Sequence, residues 1–278
     1  KAAGVNVPRI SAMMELGGGR YEPSFRGLTS IYYNCFVEND YSDIWYYYEG
    51  KPLLYGESDY ESSLKYLKKD DKAEMDILEM LKGFFTFRGN GGRNDYKDEA
   101  TGSNNWHWLD NFPQVQRNKD ASGRAEAVAL GTAINQSTLI GGSQTGVFSD
   151  EYNKGRGFSE VFKEDYRDIG KRQAYFFREQ AALVLEAAPK FVLIDGWNEW
   201  IAGRNESYNG FKNSFVDCYD DENSRDIEPS AGALKDDYYN LLCDFVRKYK
   251  GVRKAPVASG METIDVASDV SQWDSVGP

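Results

Sequence analysis

Apolar runs of strand length recur along this chain of 278 residues, with helical or loop-rich segments between them. The runs lie at 7–14, at 53–55 after a run at 45–48, at 84–87, at 127–133 and at 191–197. Apolar residues at helical spacing predict helices that include 28–36, 72–82, 167–188 and 236–249. Near-continuous apolar strands that alternate with helices are typical of a parallel sheet covered on both faces, so the predicted fold class is α/β.

A closed (β/α)8 TIM barrel needs about 250 residues, roughly 30 for each strand-helix unit. Five units here fill residues 1–252, so either some strands escape recognition or the barrel lacks its N-terminal strands. Residues 1–4 resemble the end of a helix with a glycine cap, which favours the second interpretation. We therefore predict a barrel body over 1–252 without its N-terminal strands, followed by a linker and a strand-like run that begins at Thr263.

The charge and the rare residues exclude several classes of function. Lys and Arg number 33 against 44 Asp and Glu, and the net charge of -11 has the wrong sign for a nucleic-acid-binding protein. No run of 18 apolar residues occurs, which excludes a membrane span from this sequence. His107 is the one histidine, so a zinc site with several histidines cannot be built within the chain. We predict no metal and no other cofactor, and carboxylates become the first candidates for chemistry.

The most informative segment is 195–203, where a predicted buried strand ends in an amide, a carboxylate and two tryptophans. Active sites of barrel enzymes form at this end of the strands, so Glu199 is the leading catalytic candidate. Asn198 could hydrogen-bond a sugar hydroxyl. Trp197 and Trp200 could stack on a sugar ring or partly desolvate the carboxylate. The alternative is that Glu199 only pairs with an arginine such as Arg204.

A second segment, 106–114, concentrates aromatic residues in a loop. Trp106 and Trp108 are costly to expose unless they cover a core edge or receive a ligand, so both are candidate substrate-binding residues. Asp110 is the second candidate catalytic carboxylate, with loop capping as the alternative. His107 is either a substrate-binding residue or a packed loop histidine.

A third segment, 215–229, is acidic, but its spacing differs from that of an EF-hand and Arg225 lies within it, which disfavours a metal site. We expect Arg225 to pair with a carboxylate in the wall of the cleft. Arg225, Glu228 and Arg88 complete the candidate substrate-binding residues. Glu15, at the end of the first predicted strand, is a reserve acid.

The motif at 195–200, followed by Ile-Glu-Pro at 227–229, resembles the barrel end of glycoside-hydrolase-like proteins related to the endo-α-mannosidase family and to WbsX-like polysaccharide proteins. Further segments at 45–53, 84–88, 108–114, 224–229 and 238–239 resemble uncharacterised bacterial members in the same order. The resemblance covers nearly the whole chain. It implies a (β/α)8 barrel that acts on a polysaccharide, with Glu199 at the catalytic glutamate position.

The same resemblance implies an appended β-sandwich carbohydrate-binding module, whose first strand would lie near 263–274, and an extracellular or periplasmic location. One position departs from the pattern. The endo-α-mannosidases carry a second glutamate three residues after the first, and Ala202 stands there in this chain. Their mechanism and their preference for mannosides are therefore not implied.

These observations predict hydrolysis of a glycosidic bond by a carboxylate pair, Glu199 with Asp110 or another acid. The predicted partner is a carbohydrate. Two alternatives remain: a non-catalytic carbohydrate-binding barrel, and a role in building polysaccharide. The sequence indicates neither the sugar nor the oligomeric state.

Overall fold

Two groups of parallel strands form the framework of the chain. The computed structural model describes residues 7–14, 21–56, 72–89, 105–138, 146–200, 203–252 and 263–275. Its strands are β1 (Ala12–Met14), β2 (Tyr47–Tyr48), β3 (Lys51–Gly56), β4 (Thr86–Arg88), β5 (Ala127–Leu130), β6 (Ile134–Ser137), β7 (Asn153–Gly155), β8 (Phe158–Ser159), β9 (Glu164–Asp165), β10 (Phe191–Ile194), β11 (Arg204–Tyr208) and β12 (Phe211–Phe215). Its α-helices are α1 (Tyr21–Tyr32), α2 (Lys72–Phe84), α3 (Arg167–Gln173), α4 (Tyr175–Ala187) and α5 (Asp237–Lys250).

The first parallel group places β3 between β1 and β4. Leu54 of β3 lies opposite Ala12 in β1 and opposite Phe87 in β4. Two helices, α1 and α2, pack on this group through apolar residues that recur at helical spacing. Their buried contacts with Leu54 come from Phe25, Leu28, Leu78 and Leu81. This packing explains why α1 and α2 form where the apolar pattern predicts helices.

The second parallel group pairs β5 with β10, with Val128 opposite Val192. Its core is shared with α4 and α5. The buried residues that pack together here include Leu130, Phe177, Val184, Tyr238 and Phe245. Helix α5 has Asp237 in its first turn and basic residues in its last, and both placements favour the helix dipole.

An aromatic layer joins the two groups. Trp106 is buried with Leu53 of β3 and Ala127 of β5 in one cluster. Its ring centre lies 4.7 Å from that of Phe191, at the start of β10. Because side chains of both groups meet in this layer, the residues that follow β3 and β10 are held in a fixed relation to each other.

Each of the five predicted strand runs contains a strand, namely β1, β3, β4, β5 and β10. Their mutual pairing is parallel, in two small groups, and the α/β fold class stays a prediction. The helices predicted around 28–36, 72–82 and 236–249 are confirmed as α1, α2 and α5, with shifted ends.

The prediction of one continuous helix over 167–188 is wrong, because the segment is divided between α3 and α4. Ala174, at the break, is buried and has the left-handed backbone conformation with φ 54°. The N–H of Phe176 donates to the carbonyl of Arg156 at 3.3 Å rather than continuing α3. A contact with a distant segment therefore sets this break, and no glycine or proline marks it in the sequence.

The complete barrel stays a prediction. Among the described residues, the parallel strands form two separate hydrogen-bonded groups. Strand β2 pairs with β3 in an antiparallel hairpin, and three further antiparallel hairpins that the sequence analysis did not predict are present. These three are β6–β7, β8–β9 and β11–β12. The strand predicted from Thr263 is instead unpaired chain followed by a turn and a 3-10 helix at Val270–Ser275. The appended module also stays a prediction, and residues 253–262 of the predicted linker lie outside the described residues.

Candidate functional site

The loop that follows β10 is joined to the segment 225–228 by backbone hydrogen bonds. Ile227 donates its N–H to the carbonyl of Gly196 at 3.0 Å, and Glu228 donates to the carbonyl of Trp197 at 2.9 Å. Gly196 has φ +76°, and a Cβ atom there would lie 2.4 Å from the carbonyl oxygen of Arg225. Glycine alone fits this close approach. The motif after β10 therefore lies against the acidic segment that contains Arg225.

Arg225 is the centre of the candidate site. Its side chain is only 2% exposed, and its guanidinium faces three carboxylates. Nε lies 3.0 Å from Asp195, Nη2 lies 3.6 Å from Glu199, and Nη2 also contacts Asp217. We call these four residues the Arg225 centre. The prediction that Arg225 pairs with a carboxylate is confirmed, and the pairing involves three acids rather than one.

Two aromatic rings cover the guanidinium of Arg225. The ring centre of Trp108 lies 5.6 Å from it and that of Phe148 lies 5.2 Å away. Thr132 fixes the backbone of the same residue, since its hydroxyl donates to the Arg225 carbonyl at 2.6 Å. The fold thus brings together all three segments that the sequence analysis singled out, represented by Trp108, Glu199 and Arg225.

Glu199 is the exposed member of the Arg225 centre, with 49% of its side chain exposed. Its backbone N–H donates to a carboxylate oxygen of Asp226, which holds the loop in place. The alternative interpretation named Arg204 as its partner, but the arginine that faces Glu199 is Arg225. An ion pair at 3.6 Å with a half-exposed carboxylate is weak, so the carboxylate can face a ligand.

Asp195 is the buried member of the centre, with 9% of its side chain exposed. Burial raises the pKa of Asp195 to about 7; the Arg225 guanidinium opposes this shift, and the neighbouring carboxylates add to it. The sequence analysis assigned no role to Asp195. The signal was its position directly after a strand that the sequence predicts to be buried, and before Glu199.

Trp200 and Glu228 meet beside the Arg225 centre. The indole N–H of Trp200 donates to Oε2 of Glu228 at 2.9 Å. Both residues line a small pocket. The pocket is also lined by Arg156, Ser224, Asp226, Lys235 and Tyr238. Because Asp226 binds the backbone of Glu199, this pocket adjoins the exposed carboxylate.

Trp197 and Asn198 lie exposed on the same loop as Glu199. Trp197 is 47% exposed, and its ring centre lies 6.1 Å from that of Tyr239 in an edge-to-face contact. Such rings offer flat apolar faces with polar edges, which suit the faces of sugar rings. Tyr239 is exposed as well. The sequence analysis noted it only as part of the resemblance, and its contact with Trp197 now places it at the site.

Asp110 and His107 belong to a separate buried cluster. Oδ1 of Asp110 lies 2.7 Å from Nδ1 of His107, and Oδ2 accepts the N–H of Val115 at 3.2 Å. Nη2 of Arg117 lies 2.7 Å from Nε2 and 3.0 Å from Nδ1 of His107, so the imidazole is held between Arg117 and Asp110. In the described part of the chain, no hydrogen bond or ion pair joins Asp110 to Glu199. The geometry favours a structural role for both residues, and their roles in catalysis and substrate binding stay predictions.

Tyr55 connects that cluster to the Arg225 centre. Its hydroxyl donates to the carbonyl of Trp106 at 2.6 Å. Burial raises the pKa of Tyr55, and the charges of Asp195 and Asp110 raise it further. Both acids are thus close enough to act on one hydroxyl group, although they belong to different clusters.

Arg88 and Trp106 converge on Glu126, a residue the sequence analysis did not single out. Arg88 donates to both carboxylate oxygens of Glu126, at 3.0 and 3.2 Å, and the Trp106 indole donates at 2.9 Å. Tyr48 and Asn118 donate to the same carboxylate. Burial acts to raise the pKa of Glu126, but these hydrogen bonds outweigh it and lower the pKa to about 2. We call this group the Glu126 centre, and it occupies the polar groups of Arg88 and Trp106 that were predicted to bind substrate.

Two positions named in the sequence analysis, Glu15 and Ala202, lie outside the described residues. Within the described ranges, no three His, Cys, Asp or Glu side chains are grouped so that they could hold a metal ion. No helix in the described part of the chain is long and apolar enough to cross a membrane.

No protein-family model matches this chain, and comparisons with curated proteins and with solved structures find no match. The resemblance to glycoside-hydrolase-like barrels therefore rests on the motifs of the sequence alone.

Proposed function

We propose that this protein is a glycoside hydrolase that cleaves a polysaccharide or glycan, with Glu199 as the carboxylate that faces the substrate. The observation that carries the proposal is the position of Glu199. It lies in the loop after the parallel strand β10, is half exposed, and lies beside the buried cation of Arg225. The (β/α)8 barrel and an extracellular or periplasmic location are part of the same proposal, because they rest on the same resemblance.

Exposed aromatic rings support a carbohydrate as the ligand. Trp197, two residues before Glu199, presents its ring to solvent. Tyr239 is also exposed, and its ring contacts that of Trp197. The adjoining pocket carries both acceptors and donors, among them Glu228 and Lys235. Flat apolar faces next to a mixed set of polar groups match a sugar ring, which has apolar faces and hydroxyls at its edge.

The chemistry assigned to Glu199 follows from its partner. The Arg225 guanidinium favours the ionised form of a carboxylate beside it, so Glu199 is suited to act as nucleophile or as the base that activates water. A second, protonated carboxyl group donates its proton to the leaving oxygen as the C–O bond breaks. Water then supplies the hydroxyl of one product and the proton that restores the acid.

The test is the variant Glu199→Gln, which keeps the side-chain shape and removes the charge. New reducing ends would be counted after incubation with α-mannan, β-mannan, xylan and polygalacturonate. For a polysaccharide that the unaltered protein cleaves, we expect the variant to lose about 10²–10⁴-fold in rate. The matched control is Glu206→Gln, an exposed glutamate on β11 whose replacement should leave the rate unchanged.

Two outcomes would contradict the proposal. If Glu199→Gln cleaves as fast as the unaltered protein, Glu199 is not the catalytic carboxylate. If the unaltered protein binds one of these polysaccharides, measured by depletion onto the insoluble polymer, yet releases no reducing ends from any of them, the non-catalytic carbohydrate-binding alternative is favoured.

A further inference from the structure

Asp195, whose side chain is buried, and Glu199, whose side chain is half exposed, both face the guanidinium of Arg225. Nε of Arg225 lies 3.0 Å from Asp195, and Nη2 lies 3.6 Å from Glu199. Because a guanidinium is small and planar, the two carboxylates are no more than about 9 Å apart. Carboxylate pairs of glycosidases lie about 5–9.5 Å apart, so the two acids are within the range at which such pairs work together.

The charges around Asp195 do not balance. Arg225 is the cation that acts on Asp195, and three carboxylates from neighbouring segments act on it as well. Those carboxylates are Glu199 on the same loop, Asp217 after β12, and Asp226 next to Arg225. Tyr55 of β3 faces Asp195 with a hydroxyl whose own ionisation is suppressed. A single cation cannot compensate every acid here when all of them are ionised.

The hydrogen bonds of Arg225 are also incomplete. Nη2 donates to Asp217, but Nε and Nη1 are buried without a hydrogen-bond partner among the described residues. Nε lies 3.0 Å from Oδ2 of Asp195, but the two atoms are not aligned for a hydrogen bond. Oδ2 of Asp195 also has no hydrogen-bond partner among the described residues. The guanidinium therefore has donors left over that a small rotation of the side chain could direct to either acid.

We propose that Asp195 is a positioning residue that controls how much of the Arg225 charge acts on Glu199. When Asp195 is neutral, Arg225 is shared by Asp217 and Glu199. When Asp195 loses its proton, it competes for the same guanidinium and adds a negative charge next to Glu199. The raised pKa of Asp195, about 7, places this change near neutral pH. The inference rests on the proposed function only for its effect on hydrolysis, since the coupling is a property of the folded chain.

Carboxyl ¹³C NMR of the full chain tests the coupling without any substrate. The protein is labelled at the side-chain carboxyl carbons of Asp and Glu, and signals are assigned by their disappearance in Glu199→Gln and Asp195→Asn. In the unaltered protein we expect Asp195 to titrate with a midpoint near pH 7 and the Glu199 signal to show a second inflection at the same pH. Asp195→Asn, which mimics the neutral acid, should remove that inflection. Asp244→Asn, an exposed aspartate that also pairs with an arginine, should retain it.

A Glu199 signal that moves in a single acidic step in the unaltered protein would overturn the inference, and so would an Asp195 midpoint below about pH 5. Both titrations are read in the unaltered protein, and the variants serve to assign its signals. If a cleaved polysaccharide is found, the alkaline limb of kcat/KM should lie near pH 7 and move up by about one unit or more in Asp195→Asn. Failure of the proposed function would show separately, as Glu199→Gln that still cleaves, and would leave the NMR coupling intact.

Discussion

The Glu126 centre and the Arg225 centre are both built from a buried arginine and carboxylates, yet they are satisfied to very different degrees. In the Glu126 centre, Arg88 uses Nε and Nη2 on Glu126 and directs Nη1 to the carbonyl of Phe87. In the Arg225 centre, two of the three guanidinium nitrogens of Arg225 have no hydrogen bond among the described residues. The Glu126 centre is closed in the sense that every guanidinium nitrogen of Arg88 is hydrogen-bonded, whereas the Arg225 centre has donors without partners.

The pKa values follow the same division. Hydrogen bonds lower the pKa of Glu126 to about 2 in spite of its burial, so this acid is ionised at any ordinary pH. Burial raises the pKa of Asp195 to about 7; Arg225 opposes this shift, and the neighbouring carboxylates add to it. A buried ion cluster with complete hydrogen bonds serves the fold, whereas one with unpaired donors and a proton near neutrality is suited to chemistry.

The largest effect is expected in the closed centre. Glu126→Gln removes the charge that Arg88 faces and leaves the guanidinium with the half-exposed Glu49 as its ion partner. Breaking a buried pair by removing one partner costs about 3–5 kcal/mol, and we expect a loss of unfolding free energy of that size in urea at pH 7.

The pH dependence gives that prediction a sign. Since the folded pKa of Glu126 lies below its unfolded value, its stabilisation is present above about pH 5 and is lost as the pH falls toward 2. The stability difference between the unaltered protein and Glu126→Gln should therefore shrink on acidification. A difference that is constant from pH 7 to pH 3 would show that the charge of Glu126 does not stabilise the Glu126 centre. The contrast between the two centres would then be wrong.

A smaller effect of opposite sign is expected for Asp195→Asn. The folded pKa of Asp195 lies above its unfolded value, so the folded state holds a proton that the unfolded state releases. Stability is therefore full below about pH 4, falls as the pH rises to about 7, and is constant above it. The asparagine variant lacks this slope, and its stability relative to the unaltered protein should grow by about 1–3 kcal/mol between pH 4 and pH 7.

Urea unfolding at several pH values measures this slope, and Asp244→Asn is the exposed control that should show none. If the difference in unfolding free energy between Asp195→Asn and the unaltered protein is the same at every pH in this range, Asp195 is ionised like an ordinary aspartate. The contrast with Glu126 would then reduce to a difference in hydrogen-bond count.

Much of the framework could be predicted from the sequence, because it depends on local apolar patterns. The runs that form β3, β5 and β10 are nearly all apolar, and α5 combines an apolar face with charges suited to its dipole. Another signal was present and unused: Asn209 and Gly210, both with positive φ, form the turn of β11–β12, and this pair is typical of a tight hairpin. The break at Ala174 had no such signal, since a hydrogen bond to a distant segment sets it.

The candidate site divides in the same way. Glu199 and Arg225 could be identified because they lie in motifs rich in polar and aromatic residues. Trp108 could be identified because it lies in a loop that concentrates aromatic residues. Asp195 lies in the same motif, but its importance comes from burial next to Arg225, which only the folded chain creates. Glu126 could not be found, because its partners come from four separate segments of the chain. Sequence spacing shows which side chains are near each other locally, and it does not show which buried acids are fully hydrogen-bonded.

The smallest effect on stability is expected for Glu199→Gln, and it bears most directly on the comparison. The Glu199 side chain is half exposed and lies 3.6 Å from Arg225, so the ion pair contributes about 0–1 kcal/mol. The backbone N–H that binds Asp226 is unchanged in the variant. Urea unfolding should therefore place Glu199→Gln within about 1 kcal/mol of the unaltered protein, beside the much larger loss in Glu126→Gln. A loss for Glu199→Gln as large as that for Glu126→Gln would mean that Glu199 holds the fold as Glu126 does. Any fall in hydrolysis would then report unfolding rather than the removal of a catalytic carboxylate.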